Sequence, residues 1–543
     1  MPTMDKERRT KVSAREDILN AQTTLGIEFG STNIKAVLID LQGKVLAKGS
    51  HHWENHLTDG IWTYPYEEIE AGLRDCYKNL RENVERSYDL DLTRVGAIGI
   101  SAMMHGIIAL DRNGKPLSAF QTWRNSNTQE AADILTDRFS FNIPLRWTIA
   151  HLYQFMLDKE AFLKDLDFAT TLDSYIHFRL TGEKVTGIGD ASGIFPIDSD
   201  ALDYDQRMVD SFDELTKDFG YPWKLRDVLP KVLTAGQKAG TLTKEGAALL
   251  DESGKLEAGI PLCPPEGDAG TGMTATNAVA PRTGNVSAGT STFAMIVTEK
   301  PLSSVHREID MVTTPDGKPC AMSHANNGTS DINAWHDLFK EFAELMGVDL
   351  DGVNLYDVLY KRSLEGDPDC GGLLNYGYYS GEGVTKLNEG RPLYVRMPNS
   401  KLNLANFMRA QLYTSLGAVK LGMDILQKEE HVKIDRITGH GGLFTTPGCV
   451  QKYLAAAIHT PVTVMSTATE GGPWGMALLA AYLLEGGQDK ETLPDYLNRK
   501  IFDKMEGTTL APDPETEEGY ETFIRHYKDG LAVEKSAITS VNW

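Results

Sequence analysis

The sequence contains the same short unit twice, and this repetition restricts how the chain can fold more than any other feature. Each copy is a hydrophobic run, a turn of glycine with serine and threonine, and a second hydrophobic run. The first copy spans residues 24–40 around Gly30-Ser31-Thr32, and the second spans residues 283–297 around Gly289-Thr290-Ser291. Hydrophobic runs rich in β-branched residues that flank a glycine turn predict a hairpin. The repetition predicts an internal duplication of one sheet-forming unit.

The length of the chain agrees with a duplication. At 543 residues the chain is too long for one hydrophobic core, because single cores stop growing beyond roughly 250–300 residues. We therefore expect an α/β protein of two large domains, with a cleft between them for a substrate. The expected order is a polar N-terminal extension at 1–22, a first domain at 23–282, a second domain at 283–504 and a polar C-terminal appendage at 505–543.

Composition argues against several partners. Acidic residues outnumber basic ones by 76 to 54, for a net charge of −22, whereas nucleic-acid-binding proteins carry an excess of Lys and Arg. Five scattered cysteines without a CxxC pair indicate reduced thiols. The first twenty residues lack the apolar core of a signal peptide, and no apolar run approaches the length of about 18 residues that a membrane span needs. We expect a cytoplasmic protein with no nucleic acid or membrane partner, and the sequence leaves a homodimer open.

The two glycine turns are candidate phosphate-binding sites. Glycine lets the backbone approach an anion closely, and turn N–H groups and small hydroxyls donate hydrogen bonds to phosphate oxygens. Lys35 follows the first turn. The first turn alone is better explained as an ordinary hairpin connection, but two such turns facing each other across a cleft would hold a polyphosphate from both sides. The sequence has no GxxxxGK[ST] segment, so neither turn is a Walker A loop.

Asp268 is a candidate general base. It lies in the glycine-rich segment PPEGDAGTG (264–272), directly before a stretch that predicts a helix. Small neighbours leave room for a substrate hydroxyl within hydrogen-bond distance, as a general base requires. Aspartate is also a favoured helix N-cap, and spacing alone does not decide between base and cap.

Two further glycine clusters occur in the second half of the chain. Gly439-His440-Gly441-Gly442 ends a predicted strand, and Gly471-Gly472-Pro473-Trp474-Gly475 precedes a predicted buried helix. Glycines at a strand end permit a flat ring such as adenine to lie against the backbone. The alternative is tight packing of a strand against a helix, which is the stronger interpretation for the second cluster.

Two loops indicate a sugar pocket. His105 follows one predicted strand, and Trp123, Arg124 and Asn125 lie in a later loop. An aromatic face with convergent polar groups is typical of a small-molecule site, although histidine and tryptophan are often core residues. No HxH, HExxH or CxxC spacing is present, so the sequence does not predict a protein-bound zinc ion.

Taken together, these segments resemble the FGGY carbohydrate kinases, a family within the actin and hexokinase superfamily. LGIEFGSTNIKAVLID (25–40) is similar to the first phosphate motif of the family, and NVSAGTSTFAM (285–295) is similar to the second. EGDAGTGM (266–273) matches the position of the catalytic aspartate. ITGHGG (437–442) and GGPWGMALLAAY (471–482) resemble the adenosine-binding region. The matches follow the family order over most of the chain.

The resemblance implies a fold of two actin-like, ribonuclease-H-like domains with a catalytic cleft, and ATP and Mg²⁺ as cofactors. It implies that Asp268 removes the proton from a terminal sugar hydroxyl, and that Glu28 and Asp268 approach the metal. Glu28 stands where the family usually has an aspartate. The implied nucleotide contacts are Gly30, Ser31, Thr32, Gly289, Thr290, Ser291, Gly439, Gly441 and Gly442.

MMHG (103–106) is similar to the QMHG sugar-contact loop of xylulokinases. The implied substrate-binding residues are Met104, His105, Trp123, Arg124 and Asp268. Trp123-Arg124-Asn125 stands where xylulokinases commonly have Trp-Asn-Asp. The implied substrate is a small-molecule sugar, namely a ketopentose such as L-ribulose or D-xylulose. A kinase for another polyol, such as gluconate, glycerol or a hexulose, and a non-catalytic actin-like sugar sensor are the alternatives.

Overall fold

The computed structural model describes residues 12–465 and 471–541, which form two compact units. Unit 1 comprises residues 12–279, 311–320 and 471–504, and unit 2 comprises residues 280–310, 321–465 and 505–541. The expected N-terminal extension at 1–22 lies partly outside the described residues. Its residues 12–19 are helical and bury Ala14 and Ile18 in the core of unit 1.

Unit 1 is built on a mixed sheet of five strands. They are β1 (Thr23–Phe29), β2 (Asn33–Asp40), β3 (Val45–His52), β4 (Ala97–Ala102) and β5 (Glu266–Gly267). Their order is β5-β4-β1-β2-β3; β1 runs antiparallel to β2 and parallel to β4, which is parallel to β5. β1 is almost entirely buried, as its near-continuous apolar sequence specifies for a central strand.

Besides the helical residues 12–19, unit 1 contains further helices. They are α1 (Tyr66–Tyr88), α2 (Gln129–Phe139), α3 (Thr148–Leu157), α4 (Leu172–Thr181), α5 (Ile188–Ile194), α6 (Gln206–Thr216), α7 (Leu225–Val228), α8 (Lys244–Leu250), α9 (Asp268–Ala275), α15 (Gly471–Leu484) and α16 (Leu493–Tyr496). α1 packs on β2 and β3 through a stripe that includes Ile69, Leu73 and Leu80, because apolar residues at three- and four-residue spacing share one helix face. α15 packs on β1 and β4.

Unit 2 repeats the strand arrangement of unit 1. Its main strands are β6 (Thr283–Ala288), β7 (Thr292–Val297), β8 (Pro319–Ala325), β9 (Arg436–His440), β10 (Val462–Met465) and β11 (Gly507–Leu510). They lie in the order β8-β7-β6-β9-β10-β11. β6 is antiparallel to β7 and parallel to β9, and β9 is parallel to β10. Strands β1 to β5 therefore correspond to β6, β7, β8, β9 and β10, and the expected duplication is present.

The helices of unit 2 are α10 (Ser330–Leu345), α11 (Leu355–Ser363), α12 (Leu404–Ser415), α13 (Gly417–Asp424), α14 (Cys449–Ile458) and α17 (Pro514–Ser540). The shorter strands of the molecule are His56–Thr58, Ile61–Thr63, Ile108–Leu110, Phe168–Thr170, Val185–Gly187, Ile197–Asp198, Asp203–Tyr204, Lys231–Leu233, Asp310–Thr313, Leu373–Tyr376 and Leu393–Arg396.

The C-terminal segment differs from the expected polar appendage at 505–543. α17 buries Tyr520, Phe523, Ile524 and Tyr527, which are spaced so that one helix face is apolar. The fully buried Nζ of Lys420 also bonds Glu521 of this helix at 2.8 Å. The Glu-rich composition hides the apolar stripe, and for this reason the segment looked like a surface extension in the sequence.

The division between the units also differs from the expected boundary. Residues 471–504 were assigned by sequence to the second domain, but they pack in unit 1. The Thr24 hydroxyl donates to the carbonyl of Ala477 at 2.8 Å, and the indole N–H of Trp474 donates to the carbonyl of Gly43 at 2.8 Å. α15 therefore completes the cover of the first sheet, late in the chain.

None of the described helices is both long and apolar enough to cross a membrane. All five cysteine side chains are buried.

Candidate active site

Asp268 is the first residue of α9 and directly follows β5. Its Oδ1 accepts a hydrogen bond from the backbone N–H of Met104 at 3.3 Å. Met104 follows β4, and β4 and β5 are neighbouring parallel strands with Ala102 opposite Gly267. The parallel register therefore brings the candidate base and the candidate sugar loop to the same end of the sheet.

The protonation of Asp268 depends on several opposing influences. Its side chain is accessible to solvent, but the protein mass around it limits hydration, and this desolvation raises its pKa. The N–H groups of Met104 and Ala269 and the positive charge of Arg146 oppose the increase in pKa. The result is a carboxylate with a raised pKa, which makes it a better proton acceptor than an ordinary surface aspartate.

Glu28 lies in β1, opposite Ser101 of β4. Desolvation raises its pKa to about 7, the negative charge of Asp268 adds to the increase, and Lys35 opposes it. Glu28 and Asp268 are thus close enough to interact electrostatically. The Glu28 carboxylate also lies against the start of α15, where a Cβ on Gly472 would come within 1.8 Å of Oε1. Only glycine leaves room for the carboxylate there.

The first glycine turn, Gly30-Ser31-Thr32, connects β1 to β2. All three of its carbonyl groups accept hydrogen bonds: Gly30 from the indole of Trp53 at 2.7 Å, Ser31 from the hydroxyl of Tyr64 at 2.6 Å, and Thr32 from the N–H of Trp53 at 3.1 Å. The side chains of Ser31 and Thr32 are exposed. The N–H of Gly30 donates within the turn to the carbonyl of Asn33 at 3.0 Å. The exposed hydroxyls of Ser31 and Thr32 can donate to an anion, as a phosphate site requires.

The second glycine turn, Gly289-Thr290-Ser291, connects β6 to β7 in the same way. Its Thr290 carbonyl accepts from the N–H of Gly328 at 2.8 Å. β6 pairs in parallel with β9, with Ser287 opposite His440. The turn and the cluster Gly439–Gly442 therefore follow neighbouring strands at one end of the second sheet.

His440 interrupts the glycine cluster of unit 2. Burial lowers its pKa to about 4, so its imidazole is neutral at physiological pH. Its Nε2 lies 3.3 Å from the amide nitrogen of Asn285, a distance at which a neutral ring can accept a hydrogen bond.

The loop after β4 is rigidly held in unit 1. His105 has a positive φ of 75°, is buried, and stacks on Trp147 with 6.4 Å between ring centroids. The N–H of Gly106 donates to the carbonyl of Arg146 at 2.8 Å, and the Thr148 hydroxyl donates to the carbonyl of Gly106 at 2.7 Å. Residues 104–106 and 146–148 are thus joined by hydrogen bonds, and Met104 of the first segment contacts Asp268.

Sequence profiles agree with this arrangement. The profile for the N-terminal domain of the FGGY family of carbohydrate kinases matches residues 23–273, and the profile for the C-terminal domain of the same family matches residues 284–484. The chain belongs to the FGGY family. FGGY carbohydrate kinases are phosphotransferases that use ATP as phosphate donor and bind a small-molecule sugar.

Individual FGGY kinases are similar to this chain over most of its length. A xylulose kinase of Haemophilus influenzae is 22% identical over 434 residues, which cover 77% of this chain and 82% of the relative. A ligand-bound xylulose kinase from Lactobacillus acidophilus superposes with a TM-score of 0.75 at 17% identity, covering 95% of this chain and 99% of that one. A gluconate kinase from the same organism gives 0.75 at 18% identity, covering 95% and 98%. The expected α/β fold of two actin-like domains is confirmed.

The expected FGGY site residues divide between the units. Unit 1 holds Glu28, the first turn, Met104, His105 and Asp268, and unit 2 holds the second turn with Gly439, Gly441 and Gly442. Trp123 and Arg124 lie in a separate loop, where the Arg124 guanidinium lies 3.9 Å from the ring centre of Trp62. Asn125 is used internally, because its amide bonds both the N–H and the carbonyl of Trp62.

Sequence reasoning missed three residues that lie beside the expected site residues. Arg146 acts electrostatically on Asp268, and Trp62 contacts Arg124; neither stands in a recognisable motif. Glu266 is buried two residues before Asp268, and its carboxylate accepts from the N–H groups of Gly189 and Asp190, each at 3.1 Å. Burial raises the pKa of Glu266 to about 8. The signal for Glu266 in the sequence was its position, because a charged residue stands there between the mainly apolar segment 260–265 and Gly267.

Proposed function

We propose that this protein transfers the γ-phosphate of ATP to a terminal hydroxyl of a ketopentose, L-ribulose or D-xylulose. The observation that carries the proposal is the contact between the Asp268 carboxylate and the backbone of the MMHG loop at Met104. This contact puts the candidate base beside the loop that resembles the sugar contact of xylulokinases. The similarity to the Haemophilus influenzae xylulose kinase supports the same substrate class.

The proposed chemical step is an in-line displacement. Asp268 accepts the proton of the sugar hydroxyl while the hydroxyl oxygen bonds to the γ-phosphorus of ATP. The bond between the γ-phosphorus and the oxygen that bridges to the β-phosphate breaks, and ADP is released. The raised pKa of Asp268 supports its role, since a base works best when its pKa is closer to the operating pH. The residues around it orient the hydroxyl and the phosphates, which accounts for most of the catalysis in phosphoryl transfer.

The exposed hydroxyls of Ser31, Thr32 and Thr290 support binding of the nucleotide. In our proposal the residues that contact the phosphates are those that the family resemblance implies, namely Gly30, Ser31, Thr32, Gly289, Thr290 and Ser291. The adenosine part lies along Gly439, Gly441 and Gly442. The neutral ring of His440 adds no charge there.

Glu28 and Asp268 fit a magnesium site. Mg²⁺ that accompanies a nucleotide is usually held by one or two carboxylates together with phosphates and water. Among residues 12–465 and 471–541, no group of three or more His, Cys, Asp or Glu side chains is arranged to hold an ion by itself, but Glu28 and Asp268 interact as a carboxylate pair. A bound Mg²⁺ would neutralise negative charge on the transferring phosphoryl group.

A second candidate acceptor is a sugar acid such as gluconate. Arg146 places positive charge near Asp268, and a guanidinium is well suited to a carboxylate. The similar gluconate kinase structure is consistent with the fold serving this chemistry, although at 18% identity it shows the fold alone.

A coupled assay of ADP formation tests both candidates. Purified protein is offered Mg²⁺-ATP with L-ribulose, D-xylulose, gluconate, glycerol or a hexulose. We expect a ketopentose to give the highest kcat/KM, with the phosphate recovered on the sugar. Turnover of gluconate alone would favour the second candidate, and failure of every sugar with intact ATP binding would support a non-catalytic sensor.

A further inference from the structure

A buried carboxylate organises the loop behind the second glycine turn. Glu382 is 1% exposed. Its Oε2 accepts hydrogen bonds from the backbone N–H of Asn326 at 2.9 Å, the backbone N–H of Asn327 at 3.3 Å and the side-chain amide of Asn327 at 3.2 Å. One oxygen therefore holds three donors of the segment that links β8 to α10.

Asn327 binds back to the segment that carries Glu382. Its Oδ1 accepts from the N–H groups of Tyr379 and Ser380 at 2.9 and 3.1 Å. The side-chain amide of Asn326 donates to the carbonyl of Gly381 at 2.8 Å. Segments 326–327 and 379–382 are thus joined in both directions, and both belong to unit 2.

The next residue connects this network to the turn. The N–H of Gly328 donates to the Thr290 carbonyl at 2.8 Å. A Cβ on Gly328 would lie 2.2 Å from the carbonyl oxygen of Gly289, so the two backbones are in direct contact and no larger residue fits. Any movement of residues 326–328 is therefore transmitted to Gly289 and Thr290.

We propose that Glu382 and Asn327 are positioning residues for the nucleotide, because they fix the loop that holds Gly289-Thr290-Ser291 in its phosphate-binding conformation. This inference rests on the proposed role of that turn in ATP binding. Neither side chain needs to touch the nucleotide. Without Glu382, the backbone N–H groups of Asn326 and Asn327 lose their acceptor, and the side-chain amide of Asn327 keeps only the carbonyls of Ser380 and Gly381. The loss of a buried acceptor is costly, and the loop rearranges to satisfy the donors.

The expected effect is confined to the nucleotide. Glu382→Met removes the acceptor at similar volume, and we expect the KM and the Kd for ATP to rise about tenfold, with the KM for the sugar within about twofold of its original value. Glu382→Gln keeps an acceptor oxygen. Burial raises the pKa of Glu382 to about 7, so an uncharged group of this shape suits the site, and we expect Gln to recover most of the affinity.

Glu534→Met is the matched control. Glu534 is also a buried carboxylate of unit 2 and accepts one backbone N–H, from Arg391, at 2.6 Å. A general loosening of unit 2 would affect both methionine variants alike. We expect Glu534→Met to lower the unfolding temperature without raising the Kd for ATP. Asn327→Asp, which loses the amide donor and faces Glu382 with a second carboxylate, provides a second variant should Glu382→Met fold poorly.

Titration calorimetry of the full-length proteins with Mg²⁺-ATP separates the possible failures. Absence of ATP binding by the original protein would overturn the proposed function. Binding by the original protein with an unchanged Kd in both Glu382→Met and Asn327→Asp would overturn the positioning role and leave the kinase proposal intact. An equal loss of affinity in the Glu534→Met control would also overturn it, since the effect would then be a general loss of structure.

Discussion

The two units use one strand arrangement to present different chemistry at the same place. The residue two positions before the glycine turn is Glu28 in unit 1 and Ser287 in unit 2. Each lies on a central strand opposite a residue of the neighbouring parallel strand, Ser101 in the first case and His440 in the second. At these equivalent positions unit 1 has a carboxylate, and unit 2 has the neutral groups of Ser287 and His440. The same strand arrangement therefore carries two glycine turns, and an acidic residue precedes the first and not the second.

The turns also differ in how they are supported. In unit 1 the aromatic side chains of Trp53 and Tyr64 bond the turn carbonyls directly. In unit 2 the Thr290 carbonyl is bonded by the backbone of Gly328, which depends in turn on Asn327 and Glu382. The first turn is thus fixed by hydrogen bonds from buried aromatic side chains, and the second by a network of polar side chains and backbone groups.

The largest effect is expected from substitution of Asp268, the carboxylate of unit 1 that we propose as the base. Asp268→Asn removes the proton acceptor while keeping the shape of the side chain, and we expect kcat to fall about 10³-fold. Binding of sugar and ATP should persist when measured by calorimetry. Transfer at an unchanged rate would contradict the role of Asp268 as base.

The second largest effect is expected from Glu28, and it can be compared with that of Ser287 at the equivalent position of unit 2. Glu28→Gln removes the charge that would approach Mg²⁺, and we expect kcat to fall about 100-fold. Ser287→Ala is the counterpart in unit 2 and should leave kcat within about twofold. Both are checked by steady-state kinetics over a range of Mg²⁺ concentrations. Equal losses from the two substitutions would mean that the turns are chemically equivalent after all.

A smaller effect is expected from the aromatic support of the first turn. Tyr64→Phe leaves the Ser31 carbonyl without its donor, and we expect the KM for ATP to rise about threefold. Tyr66→Phe is the control, because the hydroxyl of Tyr66 bonds the carbonyl of Ser118 at 3.2 Å. An ATP KM that responds equally to both changes would show that the loss of a tyrosine hydroxyl in general, and not of the bond to the turn, is responsible.

The smallest effect is expected on the free energy of unfolding, from substitution of Glu430 in unit 2. Glu430 accepts from Ser303, Ser304 and His306, and these bonds lower its pKa to about 2 against the opposing desolvation. A carboxyl with a lowered pKa stabilises the fold when ionised, so its contribution is complete above its ordinary pKa of 4.5 and is lost as pH falls through about 2. Glu430→Gln should lower stability by about 1 kcal/mol at pH 7, allowing for solvent screening.

The pH dependence gives the test of that prediction. Thermal unfolding of the original protein and of Glu430→Gln is followed from pH 7 to the lowest pH at which the protein remains folded. The difference between them should shrink as the medium becomes more acid. A constant difference would contradict the assignment of the lowered pKa to Glu430.

Local patterns in the sequence were sufficient to predict the hairpins. The runs around Gly30-Ser31-Thr32 and Gly289-Thr290-Ser291 are short-range signals, and both turns join antiparallel strands in the structure. The contact between Asp268 and Met104 could not be derived in this way. It depends on the parallel register of Glu266 with Ser101, which joins parts of the chain far apart in sequence.

The buried polar groups were also beyond sequence reasoning. Glu382 looks like any loop glutamate, and only the surrounding hydrogen bonds distinguish it. The membership of α15 in unit 1 could not be predicted because the helix is apolar on every side, so its sequence does not indicate which sheet it covers.

The position of α15 has a consequence for biosynthesis. The ribosome completes β1 and β4 long before it reaches residues 471–484, so the face of the first sheet that α15 covers stays exposed during most of translation. Domains generally fold from the N-terminus as they emerge, but unit 1 has to wait for a helix encoded after most of unit 2. A gene fragment that stops at residue 279 would therefore yield an incomplete sheet surface and an aggregation-prone product.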